Sequence, residues 1–240
     1  VHVSDMDIRT LLDDTFTKAD LDMKIKATKA GKVRITLSKA GEVMQTLEEA
    51  LAKESHYVMK VDNPKLWSAE EPELYDLLLE IMDENGAITE VIPHRVGFRR
   101  FEMDGNIMKL NGKRIVFKGA NRHEFSSVTG RVVSRDELIK DLVTMKQNNI
   151  NAIRTCHYPD AVGIYELCDE YGLYMIAECN METHGTWDLY AEQTGDFSEV
   201  LPCDREEYMG VMLDRVNSMY QRDKNHPAIL IWSCGNESFG

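Results

Sequence analysis

Nowhere do the 240 residues hold the roughly 18 consecutive apolar side chains that a membrane-spanning helix needs. The N-terminus also lacks the basic start and apolar core of a secretory signal. Positive charge is scarce: 28 Lys and Arg stand against 41 Asp and Glu, a net charge of -13. That balance argues against a nucleic-acid or anionic-membrane partner, because both are bound by clustered Lys and Arg that neutralise phosphates. The five cysteines, Cys156, Cys168, Cys179, Cys203 and Cys234, include no CxxC pair of the zinc or redox type. They read as reduced thiols of a cytoplasmic protein. With 43% apolar and 29% charged residues, the chain is expected to be soluble and to form one large domain or two ordinary ones. It begins at Val1 and breaks off three residues after Glu237, which suggests a piece of a longer polypeptide.

Two periodicities divide the sequence. Up to about residue 102, apolar residues alternate with polar ones, as in Val33, Ile35 and Leu37 or Leu77, Leu79 and Ile81. Turn signals separate these runs at Lys29-Ala-Gly-Lys32, Asp83-Glu-Asn-Gly86 and Asp104-Gly-Asn106. The pattern predicts an all-β, small antiparallel sandwich over residues 1–102. Glu42 to Lys53 has helix-favouring composition but lies between strands, and is read as a strand.

Residues 103–240 show short apolar runs alternating with helical stretches. The runs are Ile115-Val-Phe117, Ala152 to Thr155, Leu173 to Ala177 and Ile229 to Trp232. Between them a helix opens at Ser134-Arg-Asp-Glu137 with capping-box spacing, a second spans Asp160 to Tyr171, and a third spans Glu206 to Arg222. In the third, Met209, Met212, Val216 and Met219 recur at helical spacing and read as a core face. Strand and helix in alternation predict parallel strands with right-handed crossovers, in an open doubly wound sheet or in part of an eight-fold barrel. Neither a GxGxxG nor a P-loop follows the first of these strands, which weakens nucleotide binding.

Polar residues collect after each strand instead: Asn121-Arg-His-Glu124, Arg154-Thr-Cys-His-Tyr158, Glu178 to Gly185, and Asn236-Glu237. In a barrel these ends converge on the rim that carries catalytic groups. Glu182 and His184, two residues apart, would share one side of an extended segment. They suit a hard, partly hydrated cation such as Mg2+ or Mn2+ better than a closed zinc site, or else form a His–carboxylate hydrogen bond with no metal. Trp187 reads as a core indole or a sugar-stacking platform. Glu237, after a buried strand, is expected to be partly desolvated, which would raise its pKa toward that of a general acid; an ion-paired or exposed Glu is the alternative. Asn236 beside it could hold a substrate hydroxyl.

Asn63-Pro-Lys-Leu-Trp-Ser68, Val96-Gly-Phe-Arg99, Leu110-Asn-Gly-Lys113, Gly119-Ala-Asn-Arg-His-Glu124, Met145-Lys-Gln-Asn-Asn149, His157-Tyr-Pro159, Glu182-Thr-His-Gly185 and Asn225-His-Pro227 through Gly235-Asn-Glu-Ser238 together resemble glycoside hydrolase family 2. The likeness is strongest to its bacterial β-galactosidase branch and covers nearly the whole chain. It implies an immunoglobulin-like domain followed by four parallel strands of a partial (β/α)8 TIM barrel, taken from an enzyme that cleaves terminal, lactose-like β-D-galactosides by double displacement. It implies Glu237 as the acid/base, and Glu182, His184 and Glu237 as Mg2+ ligands. His123 and His157 would contact galactosyl hydroxyls, and Asn236 would lie near the 2-hydroxyl. A retaining mechanism needs a second carboxylate about 5 to 5.5 Å from the first, which the resemblance places on a seventh barrel strand outside this chain. The isolated chain is therefore expected to be inactive and to hold Mg2+ weakly or not at all.

The expected partners are a β-galactoside, the remainder of the parent enzyme, and a second copy met through exposed half-barrel edges. A non-catalytic carbohydrate- or subunit-interaction module and a β-glucuronidase-type member are the competing readings, since Gly-Asn-Glu-Ser suits the β-glucuronidase and β-mannosidase branches as well.

Overall fold

Alternating burial builds the N-terminal unit in the computed structural model, which describes residues 1–238. Seven long strands carry it: β1 (Val3–Leu12), β2 (Lys18–Ala27), β3 (Gly31–Lys39), β4 (Glu42–Leu51), β5 (Glu54–Asp62), β6 (Tyr75–Met82) and β7 (Ile88–Val96). They form two antiparallel sheets in the orders β1-β2-β5 and β4-β3-β6-β7. Leu21, Met23 and Ile25 from β2 join Val33, Ile35 and Leu37 from β3 and Leu77, Leu79 and Ile81 from β6 in one buried cluster. Each such side chain contributes about 1.5 to 3 kcal/mol relative to exposure, so the period of two is the dominant instruction in this half.

Segment 42–51 is a strand, although its composition favours helix. Backbone pairing with β3 along its length outweighs a helix propensity of tenths of a kcal/mol per residue. Three shorter strands, β8 (Phe101–Asp104), β9 (Ile107–Leu110) and β10 (Lys113–Arg114), make a small separate sheet. By backbone contacts, this unit comprises Val1–Val116 together with Asp169–Gly172 and Lys224–Ala228. Asn225 is tied into it by both side-chain atoms, Oδ1 accepting from Ile8 N–H at 2.9 Å and Nδ2 donating to the Met6 carbonyl at 3.0 Å.

The other unit is built on four parallel strands, β11 (Gly119–Arg122), β12 (Ala152–Thr155), β13 (Tyr174–Glu178) and β14 (Ile229–Ser233), paired in sequence order. A doubly wound sheet reverses its strand order at a switch point, and this sheet does not. The arrangement is that of a partial (β/α)8 barrel. The first parallel strand lies at Gly119–Arg122, after the 115–117 run in which the apolar pattern had located it; the ladder with β12 starts at Gly119.

Crossovers run through α1 (Arg135–Gln147) and α2 (Val162–Tyr171). Ser134 caps α1 with the capping box in full: its hydroxyl accepts from Glu137 N–H, and the Glu137 carboxylate accepts from Ser134 N–H at 2.9 Å. After β13 come two short helical turns, α3 (His184–Thr186) and α4 (Glu192–Thr194), joined by a π-helical turn at Trp187–Ala191. A 3-10 turn at Glu206–Tyr208 leads into α5 (Met209–Asp223). The methionine face expected on α5 is graded: Met219 near the C-terminal end is buried, Met212 and Val216 are half-buried, and Met209 at the start stands exposed. No helix among the described residues is long and apolar enough to cross a membrane.

His94 on β7 buries its Nε2 with no hydrogen-bond partner, and burial, reinforced by the nearby His226, lowers its pKa from 6.5 to about 4. Because the folded value lies below the unfolded one, the unfolded chain binds the extra proton between these limits, and stability falls as pH drops from 6.5 toward 4. This contribution should be on the order of 3 kcal/mol across the window. Thermal unfolding from pH 4 to 7 should show it. His94→Gln should flatten the slope, and an unchanged slope in that variant would locate the effect elsewhere.

Candidate active site

Period-two geometry sorts the residues at the end of the first parallel strand. Arg122 and Glu124 are buried, whereas Asn121 and His123 alternate with them and are exposed. The Arg122 guanidinium donates to Asp160 Oδ2 at 2.7 Å and to Asp141 Oδ2 at 3.1 Å. Burial pushes the Asp160 carboxyl above its usual range even so. Glu124 Oε2 accepts from Ala161 N–H at 2.9 Å. These two members of the polar cluster therefore support the rim from behind, and His123 alone of the three ionisable residues 122–124 faces outward.

At the centre of the rim lies Glu178, the last residue of β13, with a fully buried side chain. Arg154 grips it bidentately, Nε to Oε2 at 2.5 Å and Nη2 to Oε1 at 2.9 Å. Ser233 Oγ donates to Oε2 at 2.7 Å, His157 Nδ1 lies 2.7 Å from Oε1, and Glu178 N–H donates to Thr155 Oγ1 at 2.9 Å. Burial alone would raise this carboxyl, but the hydrogen bonds from Arg154, Ser233 and His157 outweigh it and hold the pKa below the usual range. An ionised Glu178 accepts only, so His157 must carry its proton on Nδ1. The 3.3 Å approach of Arg154 Nη2 to that nitrogen is then a contact between two donors and not a hydrogen bond.

Arg154 extends the network. Its Nη2 also donates to Asn236 Oδ1 at 2.9 Å, and Asn236 Nδ2 donates to Glu182 Oε1 at 3.0 Å. A chain of contacts thus leads from buried Glu178 through Arg154 and Asn236 to Glu182. On the other side, His123 meets His157 edge to face, ring centroids 5.5 Å apart, with its Nδ1 3.3 Å from the Tyr158 hydroxyl.

The last turn needs its glycine. Gly235 adopts φ +152°, and a Cβ there would lie 2.3 Å from the Met181 carbonyl oxygen. Without one, the backbone closes in and Asn236 N–H donates to that same oxygen at 2.8 Å. Glu237 follows with φ +38°, a left-handed conformation that costs a non-glycine residue on the order of 1 kcal/mol or more. The turn delivers Glu237 to Glu182 and His184: one ligand atom from each of the three lies within 4.8 Å of the others. His184 Nδ1 is 3.2 Å from Glu237 Oε2, and its Nε2 is 3.6 Å from Asp188 Oδ1.

Two expectations need correction. Glu182 and His184 come together through a helical turn, with Thr183 at the N-cap and His184 opening α3, and not along an extended segment. Glu237 is not desolvated: β14 ends at Ser233, the Gly235 turn carries the carboxylate past the sheet, and its side chain is 48% exposed. Trp187 is half-buried, its ring edge-on to His184 at 5.4 Å and its Nε1 without a hydrogen-bond partner. Sequence reading placed Arg154 and Glu178 in the polar clusters but gave neither a role. The available signal was their position, each at or next to the end of a barrel strand.

All six candidate residues therefore lie on one rim. Glu182, His184 and Glu237 form a group of two carboxylates and an imidazole, which fits a hard, partly hydrated divalent cation. His123 and His157 present rings, and Asn236 an amide, beside that group.

Residues 1–99 match the family model described as glycosyl hydrolases family 2, and residues 101–240 match the model for the TIM barrel domain of that family. A β-galactosidase of Halalkalibacterium halodurans is 48% identical over 245 residues, covering 100% of this chain and 24% of that protein. A β-galactosidase of Streptococcus thermophilus is 43% identical over 244 residues, with the same two coverages. The chain thus spans about a quarter of the length of these curated relatives. Among solved structures, an apo β-glucuronidase of Ruminococcus gnavus superposes with a TM-score of 0.82 at 28% identity, covering 99% of this chain and 38% of that one.

Replacing Glu178 with Gln should remove the charge that satisfies Arg154 and put amide hydrogens against existing donors. Breaking a buried charged pair from one side costs about 3 to 5 kcal/mol, and the partial exposure of Arg154 puts the expected loss at the lower end, about 3 kcal/mol. Urea unfolding reads this directly; a Glu178→Gln chain as stable as the parent would show that the carboxylate is not the anchor.

Proposed function

Because the chain belongs to glycosyl hydrolase family 2, we propose that it supplies the acid/base half of the active site of a whole protein that hydrolyses terminal β-D-galactosides with retention of configuration. The observation that carries this reading is the convergence of Glu182, His184 and Glu237 within 4.8 Å, beside Asn236 and the His123–His157 pair. The 43 to 48% identity to β-galactosidases favours a galactoside over the glucuronide of the Ruminococcus gnavus β-glucuronidases, which are 26 to 28% identical.

In this reading Glu237 protonates the glycosidic oxygen as it leaves and then takes a proton from the attacking water. Its position beyond the end of β14, half exposed, leaves it accessible to both. His123 and His157 hold sugar hydroxyls, His157 with its ring fixed through Nδ1 by Glu178. Asn236, oriented by Arg154 and Glu182, keeps one amide hydrogen for the sugar. The nucleophilic carboxylate is assigned to a part of the whole protein beyond these 240 residues.

Glu182, His184 and Glu237 would hold Mg2+, which when bound supplies fixed positive charge beside the acid/base carboxyl. A cytoplasmic setting belongs to the same proposal, supported by five cysteines that all stand as thiols.

The test is Glu237→Gln in the whole protein, assayed with two aryl β-galactosides. General-acid assistance is worth about 10²- to 10⁴-fold, so the galactoside with the poor leaving group should slow by about 100-fold or more and the one with an acidic leaving group much less. Equal rates for wild type and variant on the poor leaving group would remove Glu237 from the acid role. Faster cleavage of an aryl β-glucuronide than of the matching galactoside would overturn the sugar assignment.

A further inference from the structure

We propose that His123, Cys156 and His157 form a second cation site, whose soft donor set of two imidazole nitrogens and one sulfur takes Zn2+ in preference to Mg2+. A ring nitrogen of each histidine and the Cys156 sulfur lie within 4.8 Å of one another. In a tetrahedral zinc site, with Zn–N near 2.0 to 2.1 Å and Zn–S near 2.3 Å, donors stand about 3.5 Å apart, so small side-chain rotations close the gap.

The donor chemistry separates this cluster from the group at Glu182, His184 and Glu237. That group offers two carboxylates and one imidazole and is open to water, which suits a hard, hydrated ion. The cluster offers a thiol and two imidazoles, donors on which Mg2+ has little hold and Zn2+ a strong one.

A second observation concerns what holds the rings. Metal-binding histidines present one nitrogen to the ion while the other donates to a carboxylate, carbonyl or hydroxyl, which fixes the tautomer and the ring plane. Both rings here have that second partner. His157 Nδ1 donates to Glu178 Oε1 at 2.7 Å, and His123 Nδ1 lies 3.3 Å from the Tyr158 hydroxyl. The neutral ring of His157 then keeps its lone pair on Nε2. Exposure is graded from Cys156, buried at 1%, through half-buried His157 to exposed His123, so an ion can enter from the His123 side and end against sulfur. As the metal–sulfur bond forms, the thiol proton passes to solvent, and one unit of the ion's charge is neutralised by the thiolate. An open fourth position is left for water.

The site shares its histidines with the sugar contacts proposed above. If that reading holds, Zn2+ excludes the sugar ring from the rim; the metal site itself does not depend on it.

The 240-residue chain, reduced and free of metal, should be titrated with Co2+ as a spectroscopic substitute for Zn2+. One equivalent is expected to produce a thiolate-to-cobalt charge-transfer band in the near ultraviolet, together with the visible bands of four-coordinate Co2+, and Zn2+ should abolish both. Cys156→Ala should lose the charge-transfer band. His123→Ala, a change at an exposed position that leaves the fold intact, should lose the four-coordinate spectrum. Glu182→Ala should keep both. No charge-transfer band in the parent chain, its survival in Cys156→Ala, or a four-coordinate spectrum unchanged in His123→Ala would each overturn the assignment. Galactose binding is not read in these experiments, so their failure leaves the glycosidase reading to its own test.

Discussion

A carboxylate without solvent contact ends strand β13, and the rim is organised by the need to keep it charged. Moving an isolated carboxylate into a protein interior costs several kcal/mol even after relaxation, so Glu178 is stable there only with its partners in place. Arg154 comes from the end of β12, Ser233 from the end of β14, and His157 from the loop after β12. Three chain segments are thereby held at a common point by one side chain. Parallel pairing alone would align the strands without fixing where their polar ends point.

The consequences travel outward in two directions. Toward His157 and His123, the constraint sets a tautomer and a ring plane, so a side chain that would otherwise rotate becomes an oriented donor or ligand. Toward Asn236 and Glu182, the spare capacity of Arg154 continues the chain of hydrogen bonds, and the backbone bond from Asn236 to the Met181 carbonyl joins the β14 end to the segment after β13. Glu237 lies beyond this network, exposed and in a left-handed conformation, the position of a group meant to meet a ligand and not to stabilise a fold. The part of the rim that is held rigidly and the part proposed to do chemistry are thus adjacent but different residues.

Much of this was legible in the sequence where a single period decides the outcome. Val33, Ile35 and Leu37 announced a strand because burial acts on every second residue, and Ser134 with Glu137 announced a helix start because both partners of the cap lie within four positions. The convergence of four polar clusters followed from the parallel order of the strands. Most of what escaped was non-local. Glu178 has no local feature that separates it from Glu182, and only the register of three neighbouring strands shows that it meets Arg154 and Ser233. The exposure of Glu237 was missed because it depends on where Gly235 turns the chain against Met181, and the helical turn at His184 because a Glu-Thr-His-Gly sequence fits either conformation.

The most direct measurement is of the His157 imidazole by ¹⁵N NMR of the labelled chain, at a pH where the ring is neutral. If the ionised Glu178 organises the rim, the proton resides on Nδ1, and Glu178→Gln shifts it toward a mixture of the two tautomers. A ring protonated on Nε2 in the parent chain, or a tautomer unaffected by Glu178→Gln, would contradict the role of Glu178 as the organising charge.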